Sequence, residues 1–355
     1  MKNNPLRTAI REMDGYTPGE QINTDCIKLN TNENPYPPSP RAVRILSEYQ
    51  EDLLRLYPDP AADELRTAAA DRYGVPAEGI LAGNGSDDLL TIIFRAFLEK
   101  GDTAAAFYPT YTLYETLARI QDAEIVYTQF TPEFTIPDDF SDGGAQFVIL
   151  ANPNSPTGTL IPAERVRQLA DSVSGVLVVD EAYADFAREN CMSLVGECDN
   201  VIILRSFSKS FSLAGIRLGL AFSSSDIIEQ LMKVKDSYNV NRLSMAAGTE
   251  ALRDYEWMQN NAEHIIRTRG KLIRGLDEIG LDPVPSESNF VFVKCPRSRA
   301  SHLYRLLKQR NILVRYFDRD RTRDYLRITV GTEGQTDKLL SALSSILSTV
   351  RQETQ

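Results

Sequence analysis

The fold is indicated most clearly by the segment from Val176 to Ser210, VLVVDEAYADFARENCMSLVGECDNVIILRSFSKS. It contains two short apolar runs, Val176–Val179 and Val201–Leu204, and each is followed directly by polar residues. Apolar runs of this length without polar alternation are typical of strands that are buried on both faces. Similar runs at Ala104–Tyr108, Phe147–Ala151 and Leu218–Phe222 are mostly separated by helix-compatible stretches such as Ser86–Leu98 and Pro162–Ser172. This alternation predicts an α/β fold with a mostly parallel sheet flanked by helices.

Length and a change of pattern predict two domains and an N-terminal arm. A chain of 355 residues exceeds the size of about 250–300 residues at which a single hydrophobic core usually stops growing. After about Arg253 the alternation gives way to a long amphipathic helix and three strand candidates, Phe290–Lys294, Ile312–Tyr316 and Tyr325–Val330. The predicted units are an arm over residues 1–40 that packs with the small domain or a dimer interface, a large domain over 41–252 and a small α+β domain over 253–355.

Composition argues against several classes of function. No apolar run approaches the roughly 18 residues of a membrane span, and the N-terminal sequence lacks the apolar core of a secretory signal. We therefore expect a cytoplasmic protein without a membrane partner. The formal net charge of −10 argues against a broad nucleic-acid surface, which needs clustered Lys and Arg. The chain has 4 Cys without CxxC spacing and 2 His, so neither a metal site nor a disulfide framework is expected.

A glycine-rich turn, Gly83–Asp87 (GNGSD), follows a short apolar segment and opens an amphipathic helix. Free backbone N–H groups and the helix dipole favour a phosphate at such a position, where Ser86 and Asp87 begin the helix. The GK[ST] sequence of an ATP-binding loop does not follow. A structural turn with a serine cap is the simpler interpretation of this motif alone.

Asp180 ends the first apolar run, and Tyr183 follows it three residues later. A carboxylate at this depth in a sheet is costly without a cationic or hydrogen-bonding partner. A protonated pyridine nitrogen could be the partner of Asp180, and the Tyr183 phenol could bind an oxygen on the same ring. A helix cap beside a packed tyrosine explains the pattern equally well.

Lys209 lies in Ser206–Ser210 (SFSKS), directly after the second apolar run, and Arg217 follows shortly afterwards. Most lysines are solvated surface residues. At the carboxyl end of a strand, however, desolvation and cationic neighbours could make this amine a nucleophile. Ser206, Ser208 and Arg217 could together bind one phosphate dianion, because arginine presents a planar fork of donors.

Over essentially its whole length, the chain resembles the class I and II aminotransferases, which are fold-type-I enzymes that use pyridoxal 5'-phosphate (PLP). The motifs that carry the resemblance are Asn32–Pro35, Gly83–Asp87, Pro109–Tyr111, Pro156–Gly158, Asp180–Tyr183, Ser206–Lys209 and Arg217. Within that group the chain most resembles the histidinol-phosphate aminotransferases, through Tyr16–Gly19, Leu56–Pro60 and Leu326–Thr332. The combination of motifs is specific, although each motif alone is not.

The resemblance implies a role for each of these side chains. Lys209 is expected to hold PLP as a Schiff base, Asp180 to bind the pyridinium nitrogen and Tyr183 to bind the 3'-oxygen. Tyr111 is expected to stack on the ring. Tyr57 is expected to reach the phosphate from a neighbouring subunit, which implies a homodimer with shared active sites. The implied phosphate-binding residues of the same chain are Ser86, Asp87, Ser206, Ser208 and Arg217.

One position departs from the family pattern. The family commonly has asparagine directly before Pro-Thr-Gly, whereas this chain has Ser155 there and Asn154 one residue earlier. We expect Asn154 to bind the 3'-oxygen of PLP, because its amide reaches farther than a serine hydroxyl and can donate. A shorter contact from Ser155 stays open, as does an asparagine that only forms the turn.

Four residues are predicted to bind substrate. Arg327 resembles the arginine that binds the distal anionic group, which is a phosphate in the histidinol-phosphate branch, and Arg315 is a second candidate. Tyr16 and Asn289 are expected to line the substrate side, although packing explains both equally well. The resemblance implies reversible amino transfer from L-histidinol phosphate to 2-oxoglutarate, giving imidazole acetol phosphate and L-glutamate, a step of histidine biosynthesis.

Three alternatives stay open from the sequence. An aromatic amino-acid aminotransferase and a PLP-dependent phosphothreonine decarboxylase would share the cofactor residues and differ in the substrate group that binds Arg327 and Arg315. A non-enzymatic ligand-binding protein on the same fold would not need Lys209. The presence of Lys209 together with Asp180 argues against that third alternative.

Overall fold

The computed structural model describes residues 5–21, 25–296 and 299–352. Its strands are β1 (Ile27–Lys28), β2 (Ile80–Gly83), β3 (Thr103–Tyr108), β4 (Glu124–Gln129), β5 (Phe147–Ala151), β6 (Val176–Asp180), β7 (Val201–Ser206), β8 (Gly219–Phe222), β9 (Asp282–Pro283), β10 (Phe290–Lys294), β11 (Ile312–Leu313), β12 (Arg315–Tyr316) and β13 (Tyr325–Thr329). Its α-helices are α1 (Thr8–Glu12), α2 (Pro40–Ser47), α3 (Asp63–Tyr73), α4 (Ser86–Phe97), α5 (Leu113–Ile120), α6 (Ala163–Ser172), α7 (Leu194–Glu197), α8 (Ser225–Val234), α9 (Arg242–Arg253), α10 (Tyr255–Glu278), α11 (Ala300–Gln309) and α12 (Glu333–Gln352).

Seven strands form the main sheet, in the spatial order β2-β8-β7-β6-β5-β3-β4. The strands from β7 to β4 in this order run parallel, and β8 runs antiparallel to both of its neighbours. Alternate residues of β6 belong to different apolar layers, Leu177 and Val179 to one and Val178 to the other. Because both faces of the sheet are buried, the strands show no polar alternation. The predicted mostly parallel sheet between helices is confirmed.

The parallel order brings the carboxyl ends of β5, β6 and β7 to one edge of the main sheet. Asp180 at the end of β6 pairs with Ala151 on one side and with Leu204 on the other. The turns that follow these strands therefore place their polar side chains in the same space.

A second sheet has the order β12-β13-β10-β9, with antiparallel neighbours, and packs against α10 and α11. The predicted strand Phe290–Lys294 is present with the same bounds. The predicted strand Ile312–Tyr316 is instead divided. Its first half, β11, pairs with β1 of the arm, and its second half, β12, pairs with β13. The division follows from this change of partner within one short segment.

The N-terminal arm continues past β1 along the second sheet. The Leu29 amide donates to the Leu313 carbonyl at 2.8 Å, and the Leu29 carbonyl accepts from the Thr329 amide at 3.0 Å. These bonds carry the arm towards the carboxyl edge of the main sheet. The predicted domain boundaries at residues 40 and 252 stay predictions. Among the helices of the described ranges, none has the length and apolar composition needed to cross a bilayer.

Candidate active site

A cavity of about 380 Å³ lies at the carboxyl edge of the main sheet. Its walls come from the turns after the strands, from the arm and from the second sheet. The predicted residues that line it are Tyr16, Ser86, Asp87, Tyr111, Asp180, Tyr183, Ser206, Ser208, Lys209, Arg217, Arg315 and Arg327. The fold therefore gathers residues from distant parts of the chain around one cavity.

Asp180 is a buried acidic group on the cavity wall, with 7 % of its surface exposed. The Tyr114 hydroxyl donates to Oδ2 at 2.8 Å, and the Ala182 amide donates to Oδ1 at 3.2 Å. Burial raises the pKa of Asp180, and the two donors offset this rise only in part. A cationic ligand group beside this carboxyl would favour its charged form.

The arm holds Lys209 at both its amine and its backbone. Nζ donates to the Thr31 carbonyl at 3.3 Å. The Asn34 amide donates to the carbonyls of Lys209 and Ser210 at 3.0 and 3.1 Å. Nζ also lies 5.9 Å from the centroid of the Tyr183 ring. These contacts fix the Lys209 amine on the cavity wall, where it can serve as a nucleophile.

The start of α4 and the turn after β7 form a cup with donors for a phosphate. Arg217 donates to Ser208 Oγ at 3.4 Å and to Asp87 Oδ2 at 3.2 Å. The first backbone N–H groups of α4 have no acceptor within the helix. Gly85 has φ 87°, and a Cβ there would lie 2.7 Å from Nη2 of Arg217. Glycine therefore leaves the room that the guanidinium occupies beside the helix start.

Aromatic side chains form another part of the wall. The ring of Tyr111 makes edge contacts with Tyr16 and Tyr114, with centroids 5.5 and 5.6 Å apart. Its hydroxyl donates to Asp87 Oδ1 at 3.4 Å. Burial raises the pKa of Tyr111, so its phenol stays neutral. A neutral ring held in this way can stack on a flat ligand.

Two arginines on the wall bind neutral oxygens. Arg327 donates to the Asn30 carbonyl at 2.9 Å and to Ser155 Oγ at 3.3 Å, while its buried Nε has no hydrogen-bond partner among the described residues. Arg315 donates to two successive carbonyls of the arm at 2.9 and 3.2 Å. Within the described ranges neither guanidinium is paired with a carboxylate. Burial lowers the pKa of Arg327, so an anionic ligand would stabilise its charge.

Asn154 is hydrogen-bonded within the protein, and its predicted contact with the 3'-oxygen of PLP stays a prediction. Its amide donates to the Pro109 carbonyl at 3.0 Å and to Thr157 Oγ1 at 2.8 Å. Asn154 does not line the cavity, whereas Ser155 does. These two acceptors take the N–H groups of the amide, whereas its buried Oδ1 has no hydrogen-bond partner among the described residues. Ser155 is therefore the residue of this turn that a cavity ligand can reach.

Asn289 and Tyr57 also lie outside the cavity wall. Asn289 is fully buried and donates to the Asn32 carbonyl at 2.9 Å, and its predicted place on the substrate side stays a prediction. Tyr57 is 76 % exposed and stacks on Tyr238, with centroids 4.6 Å apart. Its predicted contact with the cofactor of a neighbouring subunit stays a prediction.

Sequence reasoning missed three residues that support the predicted ones. Tyr114 donates to Asp180, Asn34 holds the backbone of Lys209, and Asn32 donates to the Tyr183 hydroxyl at 3.0 Å. The two asparagines belong to the motif Asn32–Pro35, which contributes to the family resemblance but did not imply a role for either residue. Tyr114 follows Tyr111 by about one helical turn, and this spacing was its only sequence signal.

The cavity fits the cofactor that the resemblance implies. The buried carboxyl of Asp180 lines the cavity and forms no ion pair with any residue that the structure describes. The phosphate cup lies beside Arg217 and contains Gly85, the residue at which a Cβ would collide with the guanidinium. The amine of Lys209 lines the same cavity. A flat cationic ring that bears an aldehyde and a phosphate would complement all three features.

Comparison with known proteins agrees with this fit. The model of the family "Aminotransferase class I and II" matches residues 24–343. The histidinol-phosphate aminotransferase of Microcystis aeruginosa is 43 % identical, over 97 % of this chain and 99 % of that protein. The histidinol-phosphate aminotransferase of Synechocystis sp. is 44 % identical, over 96 % of this chain and 98 % of that protein.

A solved structure shows the same architecture. The histidinol-phosphate aminotransferase from Sinorhizobium meliloti, in complex with PLP, has a TM-score of 0.89 and 26 % identity, covering 98 % of this chain and 99 % of that chain. The predicted fold-type-I architecture is thereby confirmed. With a family match over most of its length and relatives above 40 % identity, the chain belongs to the class I and II aminotransferases, among which these relatives are histidinol-phosphate aminotransferases.

Proposed function

We propose that the chain uses PLP to transfer the amino group of L-histidinol phosphate to 2-oxoglutarate, giving imidazole acetol phosphate and L-glutamate. The observation that carries the proposal is the pair Arg327 and Arg315, which are cross-strand partners in the same cavity as Lys209. A phosphate dianion can accept from two guanidinium groups at once, and the carboxylates of 2-oxoglutarate can use the same donors. The names of relatives that cover nearly the whole chain support the same substrate.

The cofactor would be held at five points of the cavity. Lys209 would bind the aldehyde carbon, Asp180 the ring nitrogen and Tyr183 the 3'-oxygen, while Tyr111 would stack on the ring. The phosphate would lie in the cup, held by the start of α4 at Ser86 and Asp87 and by Ser206, Ser208 and Arg217. Each of these residues lines the cavity.

The residues of the chain have separate chemical tasks. Bound PLP supplies an electron sink for the pair that remains when the substrate α-carbon loses its proton. The Asp180 carboxylate would keep the ring nitrogen protonated. Once free of the cofactor, Nζ of Lys209 would act as the base that takes the proton of the substrate α-carbon and as the acid that gives it up again. Asn34 holds the backbone of Lys209, which would keep the amine in position beside the substrate.

A panel of amino donors with 2-oxoglutarate tests the proposal. The donors are histidinol phosphate, histidinol, phenylalanine, tyrosine and aspartate. We expect kcat/KM for histidinol phosphate to exceed that for histidinol by about 10²-fold, because the phosphate adds charge-assisted bonds to two arginines. A preference for phenylalanine or tyrosine would replace the proposal with an aromatic aminotransferase. Release of CO₂ from phosphothreonine without amino transfer would indicate a decarboxylase.

We also propose a cytoplasmic homodimer with shared active sites. The exposed Tyr57 is available to a neighbouring subunit. Inactive Tyr57→Ala chains and inactive Lys209→Ala chains, refolded together, should regain partial activity, because each hybrid dimer has one site with both residues intact. Hybrid dimers that form and stay inactive would contradict a shared site.

A further inference from the structure

Asn32 connects the arm to Tyr183 at the cavity wall. Its Nδ2 donates to the Tyr183 hydroxyl at 3.0 Å, and both residues line the cavity. Asn32 is 1 % exposed, and its φ of 57° lies in the left-handed region that asparagine tolerates better than most residues. The fold therefore places a buried amide, in an uncommon backbone conformation, against a proposed cofactor contact.

The other polar groups of Asn32 are bonded in a way that fixes its amide. Thr329 Oγ1 donates to Oδ1 of Asn32 at 3.0 Å and accepts from the Asn32 backbone amide at 3.0 Å. The Asn32 carbonyl accepts from Asn289 Nδ2 at 2.9 Å. Because the Thr329 hydroxyl occupies Oδ1, Nδ2 is the atom directed at the phenol. Asn32 thus donates to Tyr183 and does not accept from it.

A phenol has a single proton to donate, and its direction depends on what the oxygen accepts. When the Tyr183 oxygen accepts from Asn32, its proton is free for another acceptor in the cavity. The 3'-oxygen of PLP is such an acceptor when it is an anion. We propose that Asn32 is a positioning residue that directs the Tyr183 proton onto the 3'-oxygen of the bound cofactor. This inference rests on the PLP site proposed above.

The hydrogen bond from Tyr183 would also act on the nitrogen that links the cofactor to Lys209. When this nitrogen loses its proton, the negative charge of the 3'-oxygen is no longer shared with a neighbouring N–H. A hydrogen bond from Tyr183 therefore favours the deprotonated linkage, and loss of that bond raises the pKa of the linkage. The titration is read from the absorbance of the resting holoenzyme, without turnover.

Two substitutions at Asn32 distinguish the effect of its side-chain amide from the effect of its left-handed backbone conformation. Asn32→Asp keeps the shape and tolerates the left-handed backbone, but a carboxylate draws the Tyr183 proton to itself. We expect the titration midpoint to rise by about one pH unit, the size of one lost charge-assisted hydrogen bond. Asn32→Gly removes the amide at a φ that glycine adopts freely, and a smaller rise in the same direction is expected because the phenol is no longer polarised.

Tyr183→Phe supplies the matched background. In the Tyr183→Phe protein, Asn32→Gly should leave the midpoint unchanged, because there is no phenol proton to direct. An equal rise in both backgrounds would overturn the proposal, since Asn32 would then act without Tyr183. A rise for Tyr183→Phe with no rise for either Asn32 variant would also overturn it. No rise for Tyr183→Phe itself would instead overturn the contact between Tyr183 and the cofactor, while the donor panel tests the reaction independently.

Discussion

Two walls of the cavity, that of the main sheet and that of the arm, are built by different means. On the main-sheet wall, Asp180 ends β6 and Lys209 lies in the turn after β7, so the pairing of neighbouring strands brings them together. On the arm wall, backbone carbonyls and side-chain amides of residues 30–34 contact Lys209, Tyr183 and Arg327 without any strand pairing. The main-sheet wall supplies the reactive groups, and the arm wall fixes where they point.

Removal of the reactive amine from the main-sheet wall should have the largest effect. We expect Lys209→Ala to lower kcat by more than about 10⁴-fold, the upper end of what a general base contributes, because the same amine also binds the cofactor covalently. PLP should still bind through the cup at Arg217 and Ser208, which equilibrium dialysis measures. Lys233→Ala, an exposed lysine of α8, is the matched control. A Lys209→Ala protein that turns over near the parental rate would show that Lys209 is not the reactive amine of the main-sheet wall.

A substitution at Arg327, where the second sheet contacts the arm, should have an intermediate effect on activity. Arg327→Lys keeps the charge but cannot bond the Asn30 carbonyl and Ser155 Oγ and still present a donor to an anion. We expect KM to rise by about 10- to 100-fold for both histidinol phosphate and 2-oxoglutarate, with an unchanged cofactor spectrum. Arg323→Lys, at an exposed arginine of the same segment, should leave both KM values unchanged. Unchanged KM values for Arg327→Lys would remove Arg327 from the substrate site.

The difference between the walls explains what the sequence could predict. Asp180 and Lys209 could be placed because each follows a buried strand within a few residues, and that signal is local. The contact from Asn32 to Tyr183 spans 151 positions, and that from Arg327 to Asn30 spans 297. No periodicity in the sequence encodes such pairs, although the resemblance had pointed to Arg327 itself.

Two differences between the sequence expectations and the structure have the same origin. The choice between Asn154 and Ser155 depended on the Pro109 carbonyl, 45 positions away, which accepts from the Asn154 amide. The strand predicted over Ile312–Tyr316 is divided because β1 of the arm pairs with its first half. In both cases the local pattern was read correctly, and a distant partner decided the outcome.

The smallest expected effect concerns the stability of the protein without cofactor. Its pH dependence tests whether the Asp180 carboxylate is poorly stabilised until a cationic ligand binds. Burial raises the pKa of Asp180 above its ordinary value, so the native state holds this proton more tightly than the unfolded state does. The contribution of Asp180 to stability is therefore fully present below the ordinary carboxyl pKa and is lost as pH rises through the raised pKa. Asp180→Asn has no proton to lose, and its amide oxygen can still accept from Tyr114.

Urea unfolding of both cofactor-free proteins from acidic to neutral pH measures this difference. We expect the free energy of unfolding of the parent protein to fall, relative to that of Asp180→Asn, as pH rises. Asp138→Asn, at a fully exposed carboxylate, should show no such trend. Tyr114→Phe should steepen the loss, because it removes a donor that lowers the pKa of Asp180. With PLP bound, the trend should flatten, since a protonated ring nitrogen favours the carboxylate. If the cofactor-free parent protein instead gained stability relative to Asp180→Asn as pH rises, groups of the main-sheet wall would already stabilise the ionised Asp180 carboxylate.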